Sequence, residues 1–438
     1  MKRILFISAL CAFSVVGVQA QEVMIGGLKY HLRSDVHEAI VSDGMNWEGT
    51  LTIPTVVNYE DQDYEVTMIE SLAFHDCKTL TSVTIPATVR EICHFAFNDE
   101  IKNAFDGCTS LEGIEVDKDN QWMCSLDGVL YSRDTTKLFA YPGGAKEVSY
   151  QVPDKVTWTG ANAFSGNPYL ERISYPNTVR RVCYGAFRGC TNLQHVKLPE
   201  GLTYLSAYLF RDCTSLKSID IPQGVKGMAE QVFFGCSSLI EVTLPEGVNS
   251  VGSLTFRDCS SLRKVILPSS LLEVSHGMFS GCGSLTDITL NEGPKTIYMS
   301  AFADCTSLKT IDLPKSVNRI DPVAFEGCSL DTLIIRGVLD RNFLSERSFE
   351  GMGNSTIIYA RQSEIDKIKK VYSGEVLPLD SYTAIHDLSA PEMVNGQSSN
   401  GKWYDLSGRR IGDGQWKMDN GQLPRGVYIR DGKKVLVK

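Results

Sequence analysis

Thirteen cysteines and seven histidines are the side chains of this sequence best equipped for chemistry. Thiols can pair as disulfides, hold zinc or act as nucleophiles, and each use demands its own spacing. Nine of the cysteines, Cys77, Cys108, Cys190, Cys213, Cys236, Cys259, Cys282, Cys305 and Cys328, fill one slot of a recurring phrase, Ala-Phe-x-x-Cys-x-x-Leu-x-x-Val-x-Leu-Pro. Cys93 and Cys183 share a second slot four residues before the phenylalanine, Cys124 stands alone, and Cys11 lies in an apolar N-terminal run. No Cys-x-x-Cys pair occurs, and His31, His37, His75, His94, His195, His276 and His386 are scattered without ligand spacing. His-Glu-x-x-His, Gly-x-Ser-x-Gly and phosphate-loop patterns are missing as well. The expectation is therefore no catalytic residues, no metal and no cofactor. Equivalent side chains of stacked copies run parallel instead of facing one another. A ladder of buried, unreactive thiols is thus expected ahead of disulfides.

The residue before each slot cysteine alternates: Gly189, Asp212, Gly235, Asp258, Gly281, Asp304, Gly327. Aspartates on alternate copies would lie about 9 to 10 Å apart, too far to share one calcium ion. Both residue types tolerate left-handed turns, so turn chemistry is the reading. The alternation, with Arg211-Asp212-Cys213 repeated as Arg257-Asp258-Cys259, also suggests an array copied as a two-coil unit.

What positions these residues is a fixed period. Phe164, Phe187, Phe210, Phe233, Phe256, Phe279, Phe302 and Phe325 follow one another at 23-residue steps, as do Phe74 and Phe97. Such a period means a solenoid, in which each coil buries its apolar face against its neighbours. The alternation in Leu-x-x-Val-x-Leu, closed by proline, predicts a strand per coil, stacked in parallel. A second short strand or turn precedes Ala-Phe, and Ala-Phe-x-x-Cys reads as one tight helical turn. The predicted fold is mainly β, with about eleven coils. A ladder of Phe187, Cys190, Phe210, Cys213, Phe233, Cys236, Phe256, Cys259, Phe279, Cys282, Phe302, Cys305, Phe325 and Cys328 is expected inside it.

The flanks divide into a signal peptide at 1–20, a β-hairpin cap at 21–60, the solenoid at 61–335, a C-terminal cap at 336–385, a linker at 386–402 and a small β module at 403–438. Lys2-Arg3, an apolar run to Val18 and Val18-Gln19-Ala20 make the leader and its cleavage site. An insertion at 112–160 interrupts the register, with Asp127-Gly128 as a hairpin turn. Ser363 to Val371 reads as a short helix capped by Ser363. No segment has the length and apolarity of a transmembrane helix. The net charge of −9 would become about −11 without Lys2 and Arg3, and no basic stripe is present. That balance argues against nucleic acid as a partner.

The 23-residue phrase resembles the BspA-like leucine-rich repeats of bacterial surface proteins, over roughly residues 60 to 335. The predicted architecture becomes a leucine-rich-repeat solenoid, capped at both ends. Tyr404-Asp405-Leu406-Ser407-Gly408-Arg409-Arg410 through Lys433-Lys434-Val435-Leu436-Val437-Lys438 is similar to type IX secretion sorting domains. The resemblance implies an exported protein, at the cell surface (outer membrane associated) or extracellular, and supplies no catalytic residues. It also implies adhesion to a host extracellular matrix or surface protein, or to another bacterial surface. The outward strand positions form two columns that would bind: His195, Lys197, Ser218, Asp220, Glu241, Thr243, Lys264, Ile266, Asp287, Thr289, Thr310 and Asp312. A non-binding spacer or coat component is the alternative reading, and a glycan-active enzyme a minor one.

Overall fold

The protein is described by a computed structural model, covering residues 21–44, 46–92, 103–386, 392–394, 403–404, 426–430 and 433–437. The expected leader, Cys11, Cys93, His94, Phe97 and most of the sorting-domain motif lie outside these residues. The chain forms two compact units, one of residues up to 147 with 155–169, the other of 148–154 with 170 onward. Both are built from coils of parallel strands.

In the first unit, the hairpin Gln21–Ile25 and Leu28–Arg33 adds Glu38–Asp43 antiparallel; Glu38–Asp43 then pairs in parallel with Gln62–Ile69. Gly49–Thr52 meanwhile enters the parallel ladder with Leu80–Ile85 and Gly113–Val116. Cap and first coil therefore interleave across the boundary expected at residue 60. Across the hairpin, His31 places Nε2 3.0 Å from Glu22 and Nδ1 2.8 Å from Glu70. Lys29 pairs with the other Glu22 oxygen at 2.7 Å. Burial lowers the His31 pKa, but the two carboxylates outweigh it and raise it on balance. The insertion is a meander: Met123–Leu126 and Val129–Ser132 turn on Asp127-Gly128, Lys137–Ala140 adds antiparallel, and Trp158–Thr159 pairs with Lys137–Ala140 in parallel. Asn120 anchors its start, donating to Pro86 O and Val89 O while accepting from Trp122 N and Met123 N.

In the second unit the coil is repeated in detail. A strand such as Lys264–Leu267 ends at a proline whose carbonyl accepts an N–H three residues on, as Leu271 N donates to Pro268 O at 3.2 Å. A two-residue strand follows; Glu273–Val274, Thr296–Ile297 and Arg319–Ile320 stack in parallel. The Ala-Phe turn then folds the chain inward. The rings from Phe187 to Phe325 are fully buried and stacked face to face, with centroids 5.3 Å apart at Phe187–Phe210 and 5.6 Å at Phe302–Phe325.

The slot cysteine satisfies a carbonyl. From Cys213 to Cys328 each Sγ–H donates to the phenylalanine oxygen of the preceding coil, Cys213 to Phe187 and Cys259 to Phe233 at 3.1 Å, Cys328 to Phe302 at 2.9 Å, whereas Cys77 donates to Trp47 O at 3.2 Å. None of the described cysteines is in a disulfide. Burial pushes Cys213 and Cys259 well above the ordinary thiol range and Cys108 up to about 12. Thiolate, the reactive form, is scarce at neutral pH under those conditions.

Two left-handed corners bracket each Ala-Phe turn. The one after the phenylalanine is the Gly/Asp slot, with φ of 60° at Asp212, 71° at Gly235 and 59° at Asp304. Its alternation has a steric cause. A Cβ added at Gly235, Gly281 or Gly327 would overlap the Oδ1 atom of Asp212, Asp258 or Asp304 on the preceding coil. An aspartate on one coil therefore crowds a side chain at the same corner of the next, and glycine relieves that crowding. The corner before the phenylalanine holds Tyr208, Gln231, Leu254, Ser300 and Val323, all at φ between 52° and 60°. Such mixed occupants leave no sequence signature.

Beyond Thr310–Leu313 the ladder continues through Thr332–Ile335, Ile357–Ala360 and Val376–Pro378. The helix expected at Ser363 to Val371 spans Gln362–Ile368 with Arg361 at its N-cap. Ser363 is not the cap: it lies in the first turn, where its hydroxyl donates to Glu364. Glu364 is the buried anchor, held by Lys367 at 2.8 Å and by Leu339 N at 3.1 Å. A second helix is Leu379–His386. In the C-terminal sheet, Glu392–Val394 pairs with Lys433–Val437, which pairs with Gly426–Arg430, and that with Trp403–Tyr404. The expected linker at 386–402 thus contributes a strand, one too short to show periodicity among polar neighbours.

Phe256→Ala should cost about 3–5 kcal/mol, since Phe256 stacks on Phe233 at 5.4 Å and Phe279 at 5.5 Å; an unchanged melting temperature would contradict the ring's structural role. Gly327→Asp should cost about 1–2 kcal/mol, and adding Asp304→Gly should restore most of it. Plain additivity in urea melts would show that crowding is not the cause of the alternation. For His31, the raised pKa adds stability that is complete below about pH 6.5 and is lost as pH climbs through the raised value. Protease sensitivity of the N-terminal hairpin should therefore grow as pH rises from about 6.5 through the raised value, and His31→Gln should flatten that dependence.

Candidate functional site

Strands alternate their side chains between two faces, and in the second unit the first and third positions of each long strand point outward. Parallel pairing turns these positions into columns. Ser149, Arg172 and His195 are in register, beside Gln151, Ser174 and Lys197. Glu241, Lys264 and Asp287 align beside Thr243, Ile266 and Thr289. Of the twelve residues expected on this face, ten are exposed; Ile266 and Asp312 are half-buried. Glu241, Lys264 and Asp287 alternate in charge at the spacing of neighbouring strands, about 4.8 Å.

The face is not uniform. Asp312 is engaged: Arg336 grips both carboxylate oxygens at 2.7 Å, a two-pronged pair that leaves little for an outside ligand. Farther on, Ile334 and Tyr359 continue the same column but are buried, and the Tyr382 ring of the helix Leu379–His386 lies 5.1 Å from Tyr359. The C-terminal cap covers the face there.

At the other end the face forms an open concavity of about 440 Å³. His195, Lys197, Ser218 and Asp220 line it, together with Ser149, Tyr150, Gln151, Arg172 and Ser174, which the sequence reading did not include. The missing five were recoverable by counting back: 195 less one period is 172, and less two is 149. They escape the phrase because Tyr175 and Val152 replace the leucine before proline. Ser218 and Asp220 lie on a stretch with no strand, Lys217–Ile221, between the strands His195–Lys197 and Glu241–Thr243. The concavity has the means to position polar groups through hydroxyls, an amide and charges of both signs, and its mouth is wide.

Other polar clusters are occupied by the fold. In the first unit the buried carboxylate of Asp106 accepts from Asn162 Nδ2 at 2.9 Å and from Ser165 Oγ. Among the described residues no three His, Cys, Asp or Glu side chains converge as a metal site. No helix among them is long and apolar enough to cross a membrane.

Comparison with known proteins places this architecture. The family profile of the BspA type leucine rich repeat region matches in six copies, over residues 61–120, 157–282 and 231–356, more than half of the chain. A leucine-rich repeat protein from Bacteroides ovatus is similar at 25% identity and a TM-score of 0.47, covering 81% of this chain and 99% of its own. A leucine rich cell surface protein from Faecalibacterium prausnitzii is similar at 21% identity and a TM-score of 0.41, covering 82% and 99%. Among curated proteins none matches. With its 23-residue coils, parallel ladder and six repeat matches, the chain belongs to the BspA-type leucine-rich repeat family.

Proposed function

We propose that this protein is exported to the bacterial surface or beyond it, where the strand face of its second unit binds a partner protein. The partner would be a host extracellular matrix or surface protein, or a component of another bacterial surface. The observation that carries this reading is the concavity on the strand face. Ser149, Gln151, Arg172, His195 and Lys197 are in register and exposed there, and the His195 and Lys197 side chains are unspent on intramolecular bonds among the described residues. The basic and apolar N-terminal run supports export. Solenoids offer long faces of this kind to extended partners. The concavity holds no tryptophan or phenylalanine, and its one tyrosine, Tyr150, is half-buried, so stacking on sugars is poorly provided for. Thiols held protonated, a carboxylate consumed by hydrogen bonds and the absence of a converging metal set among the described residues give no support to hydrolysis.

Binding of the immobilised full chain to matrix proteins, mucins, glycans and bacterial cells tests the proposal. A saturable protein ligand is expected. Its affinity should fall on the order of tenfold or more when Lys197→Glu, Asp220→Lys, Lys264→Glu and Asp287→Lys are combined, a set that leaves net charge unchanged. Silence across the panel from a folded protein would favour a passive spacer, and binding untouched by the substitutions would move the site off this face.

A further inference from the structure

We propose that the concavity seats a carboxylate of an extended acidic segment on the partner protein, an inference that rests on reading this face as a protein-binding surface. Three observations point to it. Arg172 and His195 are neighbours in one column, and Lys197 stands beside them in the other, on two adjacent coils. That gives three cation-capable groups within the reach of one ligand, on a chain whose net charge is −9. Arg172 lies 3.5 Å from the half-buried Glu171, whereas the His195 and Lys197 side chains make no hydrogen bond or ion pair among the described residues. Their capacity is open to a ligand.

The backbone supplies the second observation. At the end of each strand an N–H donates to the next coil: Val152 to Ser174 at 3.0 Å, Tyr175 to Lys197 at 3.0 Å, Leu244 to Ile266 at 3.1 Å. Leu198 and Ile221 make no such bond among the described residues, and Lys217–Ile221 forms no strand. The ladder lapses on the coil that carries Ser218 and Asp220, between the strands His195–Lys197 and Glu241–Thr243, and both side chains line the concavity.

The third is the order of charge. Beyond the cationic end come Asp220 and Glu241, both exposed. A segment with an acidic side chain against Arg172, His195 and Lys197 and a basic one a coil or two farther on would match both signs, which fixes its direction along the face. The match in sign rather than the area covered would carry the selectivity.

Fluorescence anisotropy with the full chain at low ionic strength tests the seat, using a labelled peptide that alternates glutamate with small residues. The glutamine counterpart should bind at least about tenfold more weakly, as should the glutamate peptide to Lys197→Glu or the milder Arg172→Gln. Lys264→Glu, the same charge change elsewhere on the face, should leave the affinity within about twofold. Equal binding of both peptides, or an equal loss with Lys264→Glu, would overturn a localised carboxylate seat. Binding of oligogalacturonate without the peptide would overturn the peptide as its occupant. A protein ligand that binds Lys197→Glu and wild type alike would sink the seat while leaving the strand face as a binding surface.

Discussion

The structure depends on one constraint: a coil of 23 residues cannot close a core by itself, so its apolar side must be covered by the coils before and after it. The stacked phenylalanines meet that constraint, each lying over the next at about 5.5 Å with the rings nearly parallel. The turn that delivers each ring places the phenylalanine carbonyl in the dry interior, where it accepts the N–H of the cysteine three residues on, as from Cys213 N to Phe210 O and from Cys259 N to Phe256 O. The thiol of the following coil gives that carbonyl a second donor. Cysteine suits the slot because it is small and apolar and still donates a weak hydrogen bond. The same burial that makes the thiol useful here removes it from chemistry.

Left-handed corners are the second consequence of closing so short a circuit. One is marked by glycine or aspartate, and the clash geometry between successive coils makes the two alternate. Copying of a two-coil unit accounts for the same pattern; the close contact of each aspartate with the next glycine shows why glycine packs well after it. The other corner accepts Val323 at φ 52°, a conformation a β-branched residue rarely takes. There the packing on either side dictates the backbone, whatever the residue prefers.

With the interior spent on stability, the outward strand positions are free of that duty, and differences along the face become legible as function. The middle coils alternate in charge, the last are covered by the chain's own cap, and the first make a concavity where the ladder lapses. Family membership fits this division: the repeat fixes the scaffold, and the exposed columns set what it can recognise.

The sequence alone determined the period, the parallel strands, the inward phenylalanines and the outward columns, because a repeat puts the same short-range physics on the page many times over. The hairpin turn at Asp127-Gly128 was legible for the same reason, since turn chemistry is local. Only the tertiary structure decided that Arg336 consumes Asp312, that the cap lies against Tyr359 and that Glu392–Val394 is a strand. Each of these turns on which groups meet from separate coils or across the end of the array, where the repeat breaks and spacing along the chain no longer reports distance in space.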